Sequence, residues 1–225
     1  HIEQTAAGTR YLWQWPGGER LHFDDGGRLT QIRAPSGEFL TLRYRSDGAL
    51  LQVTDPQGRS LHLSYPAAGE AGEFRGVRHI DSPRGRFSYV HGAAASADAD
   101  TPASGGADAA RLAAVRFPVA ASTAGDRRVP IERRYHYEDE RHPALLTGIS
   151  VSGSGSDGVM MNVRINSWAY DENGRAIRSV RGAPADDYEE VRLRYLRAAT
   201  TATDGITEIR NSFDQLTRYR HRIIG

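Results

Sequence analysis

The chain has no cysteine and no lysine: all 29 of its Lys+Arg residues are arginine. Without cysteine it can form no disulfide, no thiolate metal site and no thiol nucleophile. That absence fits an oxidising and a reducing compartment equally. Exclusive arginine usage is the mark of a GC-rich coding sequence, although arginine also holds planar ion pairs better than lysine. A surplus of one charge is missing too. The 29 basic and 28 acidic residues leave a formal net charge of +1, which argues against a dedicated nucleic-acid or anionic-membrane partner. No apolar run approaches the roughly 20 residues of a membrane span, and the N-terminus lacks a charged-then-apolar signal segment. A secreted product would need a signal elsewhere in a longer gene, or another export route. A start at His1 without methionine is what an excised piece would show. With 39% hydrophobic residues and a mean hydropathy of −0.56, the 225 residues describe a soluble, rather polar chain with material for one or two domains.

What is present is a repeat. Phe23, Tyr44 and Tyr65 lie 21 residues apart, and the same shift carries Gly27 onto Gly48, Leu29 onto Leu50 and Ile32 onto Val53. It also carries Pro35 onto Pro56, Gly37 onto Gly58, Leu40 onto Leu61 and Leu42 onto Leu63. Such self-similarity is the signature of a repeat architecture. Leu40, Leu42 and Tyr44 alternate with Thr41 and Arg43, the period of a strand with one apolar face. Leu61, Leu63 and Tyr65 repeat it. The clusters Asp25-Gly26-Gly27, Pro35-Ser36-Gly37, Ser46-Asp47-Gly48 and Asp55-Pro56-Gln57-Gly58 predict turns. Leu29 and Ile32 are three apart, which breaks strict alternation and predicts a bulge or bend. Later units are looser. Val77, Ile80, Pro83 and Gly85 restate the spacing after an insertion at 67–72. Trp168 through Arg175 opens another unit whose second strand carries Val191, Leu193 and Tyr195, and Phe213-Asp214-Gln215-Leu216 reads as the start of one more.

Two frames carry a family resemblance: Phe23-Asp24-Asp25-Gly26-Gly27-Arg28-Leu29 and, more closely, Tyr170-Asp171-Glu172-Asn173-Gly174-Arg175. Both resemble the YD repeat of Rhs proteins, found in bacterial polymorphic toxins and, in related form, in teneurins and Tc toxins. The stretch Arg134-Tyr135-His136-Tyr137-Glu138-Asp139, followed by His142-Pro143-Ala144-Leu145-Leu146-Thr147-Gly148-Ile149, is similar to one common in Rhs toxins. The likeness covers about residues 20–91 and 131–219. It implies a spiral β-shell that encloses a C-terminal toxin domain until delivery by a bacterial secretion system. Its partners would be the rest of the same polypeptide, that toxin domain and secretion components. About seven or eight units fit in this length, an arc of such a wall rather than a closed shell.

Residues 92–110 hold no large apolar side chain and predict an insertion between repeats rather than a domain linker, followed by a strand through Leu112, Val115, Phe117 and Val119, with a short helix over 108–115 as the alternative. A turn is expected at 125–128. Gly153-x-Gly155-x-x-Gly158 copies a dinucleotide fingerprint, but the residues after it are strand-like, so no helix N-terminus would receive a phosphate. His79 with Asp81 and His136 with Glu138 could each place two metal ligands on a strand face, yet no third ligand stands at a fitting spacing. Asp24, Asp47, Asp55 and Asp171 recur as turn residues rather than acid–base pairs. Asp55-Pro56-Gln57-Gly58 shares the first four letters of an Rhs-type self-cleavage motif, but Arg59 replaces its leucine and the segment aligns with the turn at Pro35. Arg192, Arg194, Arg218, Arg220 and Arg222, with Arg43 and Arg45, read as a face paired with Glu189, Glu190 and Glu208. Trp13, Trp15 and Trp168 are sheet-covering or sugar-stacking candidates.

The expectation is therefore an all-β fold over 1–225: stacked antiparallel β-hairpins forming a twisted, curved open sheet. It is expected to have no catalytic, cofactor or metal residues, no nucleic-acid partner and no membrane span. The function expected is a toxin-shell segment, with a cell-surface carbohydrate- or protein-binding module as the alternative and a hydrolase hidden in the repeats as a third reading.

Overall fold

The computed structural model describes residues 2–5, 8–66, 76–92, 111–118, 131–154 and 159–223, and these form strands and turns with no helix. The fold is all-β, as the repeat predicts. The insertion at 67–72, all but Gly92 of the 92–110 insertion, Val119, the turn at 125–128, and Gly155 and Gly158 lie outside the described residues. The chain divides into two compact units, His1–Tyr89 and Val90–Gly225. The first holds β1 (Ile2–Thr5), β2 (Gly8–Gln14), β3 (Arg20–Phe23), β4 (Leu29–Arg33), β5 (Phe39–Tyr44), β6 (Leu50–Thr54), β7 (Ser60–Ser64), β8 (His79–Ser82) and β9 (Gly85–His91), whose last two residues fall to the second unit. The second continues with β10 (Leu112–Arg116), β11 (Glu132–His136), β12 (Gly148–Ser154), β13 (Met160–Tyr170), β14 (Ala176–Val180), β15 (Val191–Arg197), β16 (Gly205–Asn211) and β17 (Leu216–His221). Within each unit every strand runs antiparallel to its neighbours in sequence. The segment after the 92–110 insertion is the strand β10, not the helical alternative.

One turn geometry recurs. The Asp24 amide donates to the Arg28 carbonyl at 2.9 Å, and the Gly27 amide donates back to the Asp24 carbonyl at 3.1 Å. The same pair of bonds closes 34–38, 45–49, 55–59 and 171–175. A type I turn followed by a residue at positive φ makes this three-residue hairpin loop. Gly48, at φ 87°, is such a residue, and a Cβ built there would meet nothing within 4 Å. Its requirement for glycine is therefore conformational and not steric crowding.

The turn 211–215 corrects the reading of Phe213-Asp214 as the opening of a new unit. Asn211 takes the aspartate position, its Oδ1 accepting the Phe213 and Gln215 amides at 3.0 Å each. Asp214 takes the glycine position at φ 63°, and Phe213 stands at the tip, 82% exposed. Register is the reason. The aromatic of a unit is the strand residue just before the turn, and that place belongs to Arg210.

The bulge predicted between Leu29 and Ile32 is present. Phe23 lies opposite Leu29 and His22 opposite Gln31, which leaves Thr30 without a counterpart. Identical shifts occur where Tyr44 faces Leu50 and Arg43 faces Gln52, and where Tyr170 faces Ala176 and Ala169 faces Arg178. A bulge sits at the aromatic residue of each of these hairpins.

Directly opposed residues share a face of a sheet. Trp13, Leu21, Ile32 and Leu40 are opposed in succession, as are Leu42, Val53 and Leu61, and then Leu63, Ile80 and Phe87. Because Leu40 and Leu42 alternate on one strand, and Leu61 and Leu63 on another, these rows join into one apolar stripe from β2 to β9. The opposite face carries His22, Gln31, Thr41, Arg43, Gln52, His62 and Asp81. The stripe is only partly covered: Ile32 remains 36% and Leu61 40% exposed. Among the described residues the buried apolar side chains are Val90, Ala113, Ala114, Val115 and Val180.

Backbone strain should therefore dominate substitution at Gly48. Gly48→Val is expected to destabilise by about 1–3 kcal/mol and Gly48→Asn by clearly less, since asparagine tolerates the left-handed region. Urea melts of the two variants check this; equal losses would mean that the φ of the turn is not the controlling term.

Candidate functional site

The residues that recur with the repeat converge at a joint between successive hairpins. The Tyr44 hydroxyl donates to the Leu29 carbonyl at 2.7 Å, Tyr65 to Leu50 at 2.7 Å, and Tyr195 to Ala176 at 2.8 Å. Each acceptor is the residue opposite the aromatic at the bulge of the preceding hairpin. An arginine of the preceding turn covers the same ring: Arg28 lies 5.9 Å from the Tyr44 centroid, Arg45 5.8 Å from Tyr65, and Arg175 4.4 Å from Tyr195. An aspartate holds each of these arginines: Asp24 Oδ1 accepts the Arg28 amide at 2.8 Å while Oδ2 takes its Nε at 3.1 Å, Asp171–Arg175 repeats the arrangement, and Arg45 pairs with Asp47 at 2.8 Å. Asp55–Arg59 makes the same bonds in a turn whose arginine covers no ring among the described residues. In the Tyr–Asp frame the tyrosine thus locks onto the unit behind. The aspartate closes its own turn and aims an arginine at the unit ahead.

Electrostatics follow the geometry. Burial raises the Tyr44, Tyr65 and Tyr170 phenols above the ordinary 10.0. The Arg28 amide bond, helped by the guanidinium, holds Asp24 below the ordinary 3.8. For Asp55 and Asp171 burial opposes ionisation, but the hydrogen bonds from Arg59 and Arg175 outweigh it and both carboxyls are lowered.

The Arg134–Ile149 stretch is built into the same joints. Tyr137 donates to the Leu112 carbonyl at 3.0 Å beneath Arg111, 5.3 Å from its ring. Tyr170 reaches the Leu146 carbonyl at 2.7 Å. Arg141 donates to the Tyr170 carbonyl at 3.2 Å and His142 Nε2 lies 3.0 Å from the Asp171 carbonyl, so the His142–Leu146 segment sits on the Asp171–Arg175 turn. Arg164 passes over Gly148, where any Cβ would collide with its guanidinium, to pair with Glu138 at 2.8 Å.

Most of the arginine face is paired. Glu132 joins Arg116 and Arg134 at 2.9 and 2.7 Å, and Glu190 joins Arg178 and Arg192. Glu208 joins Arg218 at 2.5 Å and Arg194 at 3.9 Å, Glu189 meets Arg181 at 3.3 Å, and Arg222 pairs with Asp204 at 2.8 Å. Among the described residues, neither Arg220 in the second unit nor Arg43 in the first has a carboxylate within pairing distance. Nothing in the sequence singled out Glu132 or Asp204. Each becomes legible only once the strand register places it beside arginines.

The remaining candidates are dispersed. Asp81 is bound by Arg86 at 2.7 and 3.1 Å while His79 Nδ1 lies 3.1 Å from the Ser88 hydroxyl. His136 Nε2 is 2.8 Å from the Ser150 hydroxyl, and its Nδ1 3.5 Å from Glu138. Among the described residues no three His, Asp or Glu side chains group as a metal site would require. The Asp55-Pro56-Gln57-Gly58 segment is a turn, with the Asp55 carboxylate accepting the Gln57 and Arg59 amides at 3.0 and 2.9 Å. Trp168 lies opposite Ser179 within the second unit, whereas Trp13 and Trp15 are 60% and 41% exposed. No helix among the described residues is long and apolar enough to cross a membrane.

No family model matches the sequence, and no curated protein matches it significantly. Among solved structures, a Photorhabdus luminescens Tc holotoxin pore with a TccC3 point mutation aligns with 100% of this chain at 9% identity and a TM-score of 0.40. TcdB2–TccC3 without its hypervariable C-terminal region aligns with 100% of it at 8% identity and a TM-score of 0.38. The chain spans 14% of the length of each.

The joints give stability a defined pH window. Carboxyls lowered below 3.8 stabilise the fold above that pH, and the contribution is lost as pH falls through their folded values. Phenols raised above 10.0 stabilise it below that pH, and the contribution is lost as pH rises through their folded values. The contribution of the joints is constant between these limits, so the urea midpoint should decline further outside both. Tyr44→Phe should lower the plateau by about 1–2 kcal/mol, because the Leu29 carbonyl loses its donor, and should also blunt the alkaline decline. A Tyr44→Phe melt identical to the parent at neutral and alkaline pH would disprove the joint.

Proposed function

We propose that this chain is a non-catalytic wall segment of an Rhs-type polymorphic toxin, contributing to a β-shell that encloses a C-terminal toxin domain. The observation that carries the reading is the joint just described, in which the residues of the Tyr–Asp frame each serve a neighbouring hairpin. A unit of this kind extends a wall by one step and leaves an arginine for the next tyrosine. An apolar stripe on one face and a polar opposite face, as in the first unit, suit a partition between an enclosed volume and solvent. The reading assigns no chemistry to the recurring aspartates, whose oxygens are engaged by their own turns. Its partners are the remainder of the same polypeptide and its toxin domain, delivered by a bacterial secretion system.

A second reading, a cell-surface carbohydrate- or protein-binding β-repeat module, draws on the exposed Trp13 and Trp15. The experiment that separates the two uses the whole reading frame. On the wall reading, a domain downstream of the repeats resists trypsin in the intact polypeptide and is cut when expressed without them. Equal cleavage in both settings, or a reading frame with no downstream domain, would overturn it. Glycan-array binding that vanishes in Trp13→Ala would support the second reading instead.

A further inference from the structure

The turns at one end of the first-unit hairpins differ in a way the wall does not require. In the turn 55–59 the carboxylate of the first residue pairs with the arginine of the fifth, Asp55 with Arg59 at 2.6 Å. The two preceding turns in the same row, 15–19 and 34–38, have Trp15 and Ala34 at the first position and Glu19 and Glu38 at the fifth. Neither glutamate has a charged partner within its own turn or elsewhere among the described residues. Alternate hairpin turns of a sheet stand about 10 Å apart, and both glutamates line one cavity of about 400 Å³. Leu21, Ile32 and Leu40 of the apolar face line it together with Trp15, whereas the Phe39 side chain belongs to the opposite face, beside Arg33. Trp13 meets Trp15 edge to face, with centroids 6.1 Å apart at 67°.

We propose that this cavity binds a quaternary ammonium cation of the choline type. Any occupant that covers the cavity removes water from Glu19 and Glu38. A neutral or anionic occupant leaves two carboxylates poorly solvated and unpaired, whereas a cation offsets that cost. The nearby positive group is already engaged: Arg33 lies 5.7 Å from the Phe39 ring centroid and donates to the Gly37 carbonyl at 3.3 Å. Two carboxylates against one guanidinium leave a negative site. A sugar would need donors and acceptors in alternation, and the lining is mainly apolar. A primary ammonium is best held by three acceptors around one nitrogen, and the two carboxylates belong to turns whose backbones stand about 10 Å apart. A quaternary ammonium needs none, and its diffuse charge suits an indole face.

Calorimetric titration of the full chain with choline chloride, at ionic strength matched by sodium chloride, tests the assignment. Saturable binding is expected, at least about tenfold tighter than that of the neutral isostere 3,3-dimethylbutan-1-ol. It should weaken about tenfold in Trp15→Ala and in the paired variant Glu19→Gln, Glu38→Gln. Circular dichroism and the melting curve should be unchanged in the paired variant, because both glutamates are exposed. Equal affinity for the isostere would make this an apolar pocket, and tighter binding of N-acetylglucosamine that survives the glutamine changes would make it a sugar site. Either result, or the absence of saturable binding of choline, overturns the proposal.

Discussion

A sheet that turns a tight corner with a bulge leaves one carbonyl of the ladder without its partner, and the rest of this structure depends on how that carbonyl is satisfied. An unpaired backbone group out of reach of water is costly, comparable to a lost hydrogen bond. Here the tyrosine of the next hairpin supplies the missing donor, at Leu29 from Tyr44 and at Leu50 from Tyr65. The defect of one unit is the docking point of the next. Consecutive hairpins are therefore joined by side chains as well as by the ladder, which matters in a chain whose described buried apolar residues are few and mostly small.

Arginine performs a second service at the same joint. A guanidinium can lie flat on a ring and still offer in-plane donors to a carboxylate, which an ammonium cannot do. Arg28 and Arg175 do both, stacking on Tyr44 and Tyr195 while bound to Asp24 and Asp171. In the second unit the same property is used on the strands. Glu132, Glu190 and Glu208 are each shared between two arginines, and all three carboxylates are well covered. Burial pushes Glu132 and Glu190 up, but the paired guanidinium bonds more than reverse it. All-arginine composition, which need reflect only coding bias, is compatible with the joints in a way an all-lysine chain would not be.

The strand and turn pattern over 20–66 was readable from residues alone, because positive-φ glycines and alternating leucines are local requirements. The broken alternation at Leu29 and Ile32 announced the bulge for the same reason. The partners of the tyrosine hydroxyls were not readable. Leu29 and Tyr44 are linked by a bond that bridges two strands, and no property of either residue identifies the other. Phe213-Asp214 misled because letters were matched without register: an aromatic followed by aspartate has the frame's composition but falls inside the turn. Glu19 and Glu38 were equally silent, since an unpaired carboxylate can be recognised only beside the paired turn it should resemble.

These two levels bear differently on function. Residues that repeat are bound to neighbouring hairpins, so their recurring spacing within the chain has a structural cause. Residues that break the repeat are where an activity specific to this segment has room to arise. Turns 15–19 and 34–38 keep the backbone geometry of turn 55–59, with the same pair of amide–carbonyl bonds, yet exchange its internal ion pair for an aromatic or small residue and an unpaired glutamate. The backbone bonds hold the turn without that ion pair, since exposed pairs contribute little. The fifth position is thereby released from structure, and in two successive turns it is occupied by carboxylates over an apolar floor. A sheet held by such joints could carry the proposed site without losing them.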